Sequence, residues 1–117
     1  MKKYVLALVL FGYGSISFGA ETYVGGVGAS VCGSWSEARR GPMTSKTVIQ
    51  EQMTVSWVMG FVSAMNNEYA EQFPNFTQHF KRIGSDGVTG WLDNYCRANP
   101  INSVNDAAMS LVLELIN

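Results

Sequence analysis

Side-chain chemistry needs groups that move protons, attack or hold metal, and this chain is poor in all three. Its one histidine, His79, stands beside Phe80 and Lys81 in an irregular stretch with no nucleophile motif near it. General-base work requires a positioned base and a partner, so His79 is expected as plain loop surface. Asp86 and Asp93 fall on one side of a helix but about two turns, roughly 10 Å, apart. Asp86 reads as a helix start and Asp93 as solvated surface. One histidine and two cysteines make no zinc site of recognisable spacing. Met43, Met53, Met59, Met65 and Met109 could suggest soft-metal capture. However, Met53, Met59 and Met65 recur at a step that drifts around a helix, so core packing is the expectation. Gly25-Gly26-Val27-Gly28 lacks both the lysine of a phosphate loop and a strand before it. The chain is therefore expected to be no enzyme, with no catalytic residue, no cofactor and no metal.

Cys32 and Cys96 are the only cysteines among 117 residues. Their compartment follows from the first residues. Lys2 and Lys3 precede an apolar run from Tyr4 to Phe11, and small and polar residues follow. That is the layout of a secretory signal peptide over 1–19, cut after Gly19, because the run is short of the roughly 20 residues a spanning helix needs. A periplasmic or secreted location is expected, with no membrane attachment after cleavage. In an oxidising compartment an isolated cysteine pair reads as a disulfide, and without a Cys-x-x-Cys spacing it reads as structural. Closing so long a loop removes about 4 kcal/mol of unfolded-state freedom.

Beyond the signal, Arg39, Arg40, Lys46, Lys81, Arg82 and Arg97 face nine acidic residues, a net of 6 − 9 = −3. There is no basic stripe, which argues against nucleic acid and anionic membrane surfaces as partners.

The elements follow from periodicity. Residues 20–30 are rich in glycine and read as a flexible lead-in to a helical domain over 31–117. Residues 34–40 form a short helix stopped by Gly41-Pro42. Thr44 or Ser45 caps a long helix from about Lys46 to Glu71. Its buried face runs through Val48, Met53 or Val55, Val58, Val62, Met65 and Tyr69. Trp57 and Phe61 widen that face, while Gly60 and Ala64 are expected to admit a close neighbouring helix. Phe73 to Gly84 reads as a loop. A third helix begins near Ser85 or Asp86, with Val88, Trp91, Leu92, Tyr95 and Cys96 at helical spacing, and ends at Asn99-Pro100. Ser103, with Asp106 three residues on, opens a last helix faced by Val104, Ala107, Ala108, Leu111, Val112 and Leu115. The expectation is an all-α, disulfide-stapled bundle of about four helices.

Two segments carry a resemblance: Trp57-Val58-Met59-Gly60-Phe61-Val62-Ser63-Ala64, and Trp91-Leu92-Asp93-Asn94-Tyr95-Cys96-Arg97-Ala98-Asn99-Pro100, followed by Val104 and Asp106-Ala107-Ala108. With the early Cys32, the layout resembles small periplasmic helical proteins of the HdeA type. It is also similar to the periplasmic immunity proteins that protect bacteria from their own type VI secretion toxins. The resemblance implies the Cys32–Cys96 bridge and helix packing at Gly60-Phe61. It also implies one of two functions: holding another protein as an inhibitor or immunity factor, or acting as an acid-stress chaperone that is a homodimer at neutral pH. The surplus aromatics and the lack of catalytic groups put protein binding first. Trp57, Gly60, Phe61, Ala64, Trp91 and Tyr95 are then the candidates for helix packing or a partner surface.

Overall fold

The structure, a computed structural model, describes residues 20–117, so the expected signal peptide lies outside it. Four helices follow a 3-10 turn at Gly26–Ala29: α1 (Cys32–Arg40), α2 (Ser45–Tyr69), α3 (Phe76–Ala98) and α4 (Val104–Ile116). No strand occurs among the described residues, and no helix there is long and apolar enough to cross a membrane.

Each helix starts for a local reason. Thr44 caps α2 reciprocally with Thr47, and Ser103 caps α4 reciprocally with Asp106, so orphan amides at both ends are satisfied by side chains. Val31, before α1, has no side chain that could do this. The tertiary structure substitutes for it. The Cys32 amide donates to the Asn102 carbonyl at 2.7 Å and the Gly33 amide to the Pro100 carbonyl at 2.9 Å. Val31 and Ser103 form an antiparallel bridge, so the chain entering α1 and the chain entering α4 run side by side. The Cys32–Cys96 disulfide closes the same junction, with the two Cα atoms 4.8 Å apart.

The stretch from Phe73 to Gly84 departs from the expected loop. It is helical from Phe76, because Phe76, Phe80 and Ile83 fall on one face and pack into the core. Pro74 precedes the first turn, where a missing N–H costs nothing. Gly84 then adopts φ 59°, breaking α3 into segments 76–83 and 85–98. The second segment begins where the Ser85 reading placed it.

The Gly-rich stretch also differs from the expected lead-in. Its second half docks on α2 and α4, and the Trp57 indole donates to the Gly25 carbonyl at 3.2 Å. Gly28 is buried against the Trp57 ring so closely that a Cβ there would overlap it.

The core lies where α2, α3 and α4 meet under α1. It contains Trp35, Val58, Val62, Phe76, Val88, Leu92, Leu111 and the disulfide, all essentially inaccessible to water. All six apolar positions named on the last helix are buried. On α2 the choice between Met53 and Val55 falls to Val55, and Thr54 enters the core by donating its hydroxyl to the Gln50 carbonyl.

Candidate functional site

The most polar tertiary contact lies beside the disulfide. Trp35 and Arg39 are one turn apart on α1 and so share a face, while Asp93 stands one turn before Cys96 on α3. Once the disulfide joins the helices, three donors converge on one carboxylate. The Trp35 indole donates to Asp93 Oδ1 at 3.0 Å, Arg39 Nε to the same oxygen at 2.9 Å, and an Arg39 terminal nitrogen to Oδ2 at 3.0 Å. The remaining Arg39 nitrogen reaches Glu51 of α2 at 3.3 Å, and the guanidinium lies 5.7 Å from the Trp35 ring. One arginine thus links three helices. The hydrogen bond to Asp93, assisted by the charges of Asp93 and Glu51, raises the Arg39 pKa above the ordinary arginine value against a smaller opposing cost of burial. Both partners are about a third exposed, so the fork–carboxylate pair contributes about 1 kcal/mol despite its bidentate geometry.

Next to this clasp is an open cleft of about 420 Å³ lined by Gly33, Ser36, Arg39, Arg40, Asp93 and Arg97, with Cys96 and Pro100. Three of the six basic residues outside the first 19 positions therefore meet in one concavity of a net-negative domain. Ser36 Oγ is sealed from water and has no hydrogen-bond partner.

The six candidate residues do not form one surface. Trp57 and Phe61 stack at 5.6 Å, half-buried, with Trp57 holding the Gly-rich turn. Trp91 and Tyr95 stack at 4.9 Å, also half-buried. Trp91 donates to Glu114 of α4 at 2.9 Å, and the Tyr95 hydroxyl accepts from Asn102 at 2.9 Å. Gly60 and Ala64 are exposed, and a Cβ at Gly60 would meet nothing within 4 Å. The expected close helix approach is therefore corrected. Gly60 follows buried Val58 by two residues, about 200° around the helix, and points away from the core.

Three further expectations change. Asp93 is not simply solvated surface but the acceptor of the clasp. His79 is not a loop residue. It lies half-buried on α3 with Nδ1 2.9 Å from the Leu115 carbonyl, which can only accept, so Nδ1–H donates and caps the end of α4. Of the five methionines beyond Met1, Met59 and Met65 pack on the core, while Met43, Met53 and Met109 are exposed. Met53 stands with Ile49 one turn before it on the outer face of α2, and Met109 with Leu113 one turn after it on α4. Among the described residues no cluster of three or more metal-ligating side chains occurs.

The i, i+4 placement of Trp35 and Arg39 was a visible signal for the clasp. Asp93, Ser36 and Arg97 offered none, because Asp93 finds its donors on α1 and Ser36 and Arg97 are brought to one cleft only by the packing of α1 on α3. Compared with known proteins, the chain matches no family model, no curated protein and no solved structure.

Proposed function

We propose that this chain is an exported, non-catalytic protein-binding domain, of the inhibitor or immunity-protein kind. The observation that carries it is the pair of apolar faces left outside a completed core: Ile49 and Met53, 56% and 55% exposed, and Met109 and Leu113, 41% and 57% exposed. About half of each side chain stays in water among the described residues, and a partner that covers it would be favoured by burial of apolar surface. Methionine suits such a face because its flexible thioether adapts to a partner. The disulfide and the absence of a membrane-crossing helix among the described residues accord with a periplasmic or secreted domain.

The test places a photo-crosslinking side chain at position 53 or 113 of the full chain in exporting cells, with exposed Lys81 as control. A discrete protein adduct from the apolar positions and none from position 81 is expected. An adduct of twice the chain mass would make a second copy the partner. A folded, oxidised protein that yields no discrete adduct from either apolar position overturns the reading.

A second reading, the acid-stress chaperone suggested by the resemblance to HdeA-type proteins, is favoured by the clasp. The Arg39–Asp93 pair is an ionic link between α1 and α3, and a chaperone released by acid needs such tertiary links to give way. Near-UV circular dichroism that collapses near pH 2 to 3, together with suppressed aggregation of a client protein, is the expected result. A rigid fold at that pH rejects the reading.

A further inference from the structure

We infer that the cleft between α1 and the end of α3 is a binding site for a carboxylate presented by a polypeptide, with Arg40 and Arg97 as its cationic walls and Ser36 as a hydroxyl donor. Charge is the first support. Arg39, Arg40 and Arg97 bring three positive charges to the cleft, and Asp93 is the one acid lining it, a local net of 3 − 1 = +2 in a domain of net −3. Arg39 is spoken for, since its guanidinium is divided between Asp93 and Glu51. Arg40 makes no ion pair among the described residues, and Arg97 bonds only the neutral carboxamide of Asn94. Two guanidinium groups therefore converge from different helices on one concavity, and neither is paired with a carboxylate among the described residues.

Ser36 supplies the second support. A buried hydroxyl without a partner forfeits its hydrogen bond, and Ser36 Oγ is the one such side-chain atom among the described residues. It belongs to the lining of this same cleft. A bound carboxylate offers the acceptor that the protein does not, reached by rotation of one side-chain torsion.

Size and floor select the ligand. A volume of about 420 Å³ exceeds what one small inorganic anion fills, and Gly33, Cys96 and Pro100 give the floor apolar atoms. A carboxylate on a carbon stem, an acidic side chain or a chain terminus, satisfies both halves, and planar guanidinium groups match its two oxygens. The polypeptide source rests on the protein-binding reading above. The cleft can be probed without the natural partner, so its failure leaves the apolar faces untouched.

The experiment titrates the oxidised protein, expressed from its full chain, with three probes while following amide NMR shifts. These are a blocked acidic tetrapeptide, a neutral tetrapeptide with a free C-terminal carboxylate, and inorganic phosphate. Saturable binding of one or both peptides with shifts at Ser36, Arg40 and Arg97 is expected. Which peptide binds assigns the source as side chain or terminus. Affinity should fall about tenfold or more in the Arg40→Gln/Arg97→Gln double variant and stay unchanged in Arg82→Gln. Near-UV circular dichroism checks that both variants remain folded, and single Arg40→Gln and Arg97→Gln variants replace a misfolded double one. Three results overturn the inference: no saturation by either peptide up to about 10 mM, equal binding by the double variant, or phosphate binding as tightly as the peptides at the same residues.

Discussion

The two ends of the physical scale in this molecule lie on different parts of its surface. Beside the disulfide, α1 and α3 are joined by a covalent bridge and a carboxylate that accepts from three nitrogens, and two backbone hydrogen bonds tie the start of α1 to the link after α3. On the outer faces of α2 and α4, apolar side chains stand about half in water among the described residues. The first region spends its side chains on holding the domain together. The second contributes little to stability and is free to serve association. A small domain can keep such faces exposed because the staple, and not a larger core, supplies the margin.

Removing the staple breaks the comparison most severely. Cys32→Ser with Cys96→Ser should cost about 4 kcal/mol, read as a fall in urea midpoint or failure to fold at 37 °C. A smaller loss would mean that the bridge at Val31 and Ser103 already holds the junction. Gly28→Ala forces the Trp57 ring off its seat and should cost about 1–3 kcal/mol, with a change in tryptophan fluorescence. An unchanged protein would show that the Gly-rich turn is not packed as described.

Asp93→Asn should cost about 1 kcal/mol, because the carboxamide can no longer accept the Arg39 fork with two charged oxygens. The raised pKa of Arg39 contributes stability that is complete through the acid and neutral range and is lost only as pH rises through its folded-state value. Arg39 therefore adds no pH dependence in the acid range, and the cost of Asp93→Asn is read as a fall in urea midpoint at neutral pH. At the small end, Met53→Ser or Leu113→Ser should shift stability by no more than about 0.5 kcal/mol, read as an unchanged urea midpoint. A larger destabilisation would place these residues in the monomer's packing after all.

The helices were legible wherever their causes lie within a few residues. The Ser103–Asp106 cap, the apolar face of α4 and the break before Ser85 all depend on neighbours three or four positions away. The helix over 76–83 was missed because Pro74 and Asn75 signal a loop, yet they precede the first turn and do not interrupt it. Of the candidate site, the positions of Trp35 and Arg39 on one face were readable. Their acceptor was not, since Asp93 lies 58 and 54 residues away and looks, in its own helix, like any solvated acid.

By itself, then, the sequence determined that the domain over 31–117 is all-helical and stapled once, because caps, periodicity and a lone cysteine pair act locally or admit one solution. The tertiary structure decided which faces stay uncovered. Gly60 and Met53 could equally have met a neighbour, and the packing of α3 and α4 on the opposite side of α2 left them in water. It also decided that three arginines from two helices share a cleft with an unpartnered serine. A helical pattern specifies the direction in which each side chain points, while what waits there depends on how the other helices are laid against it.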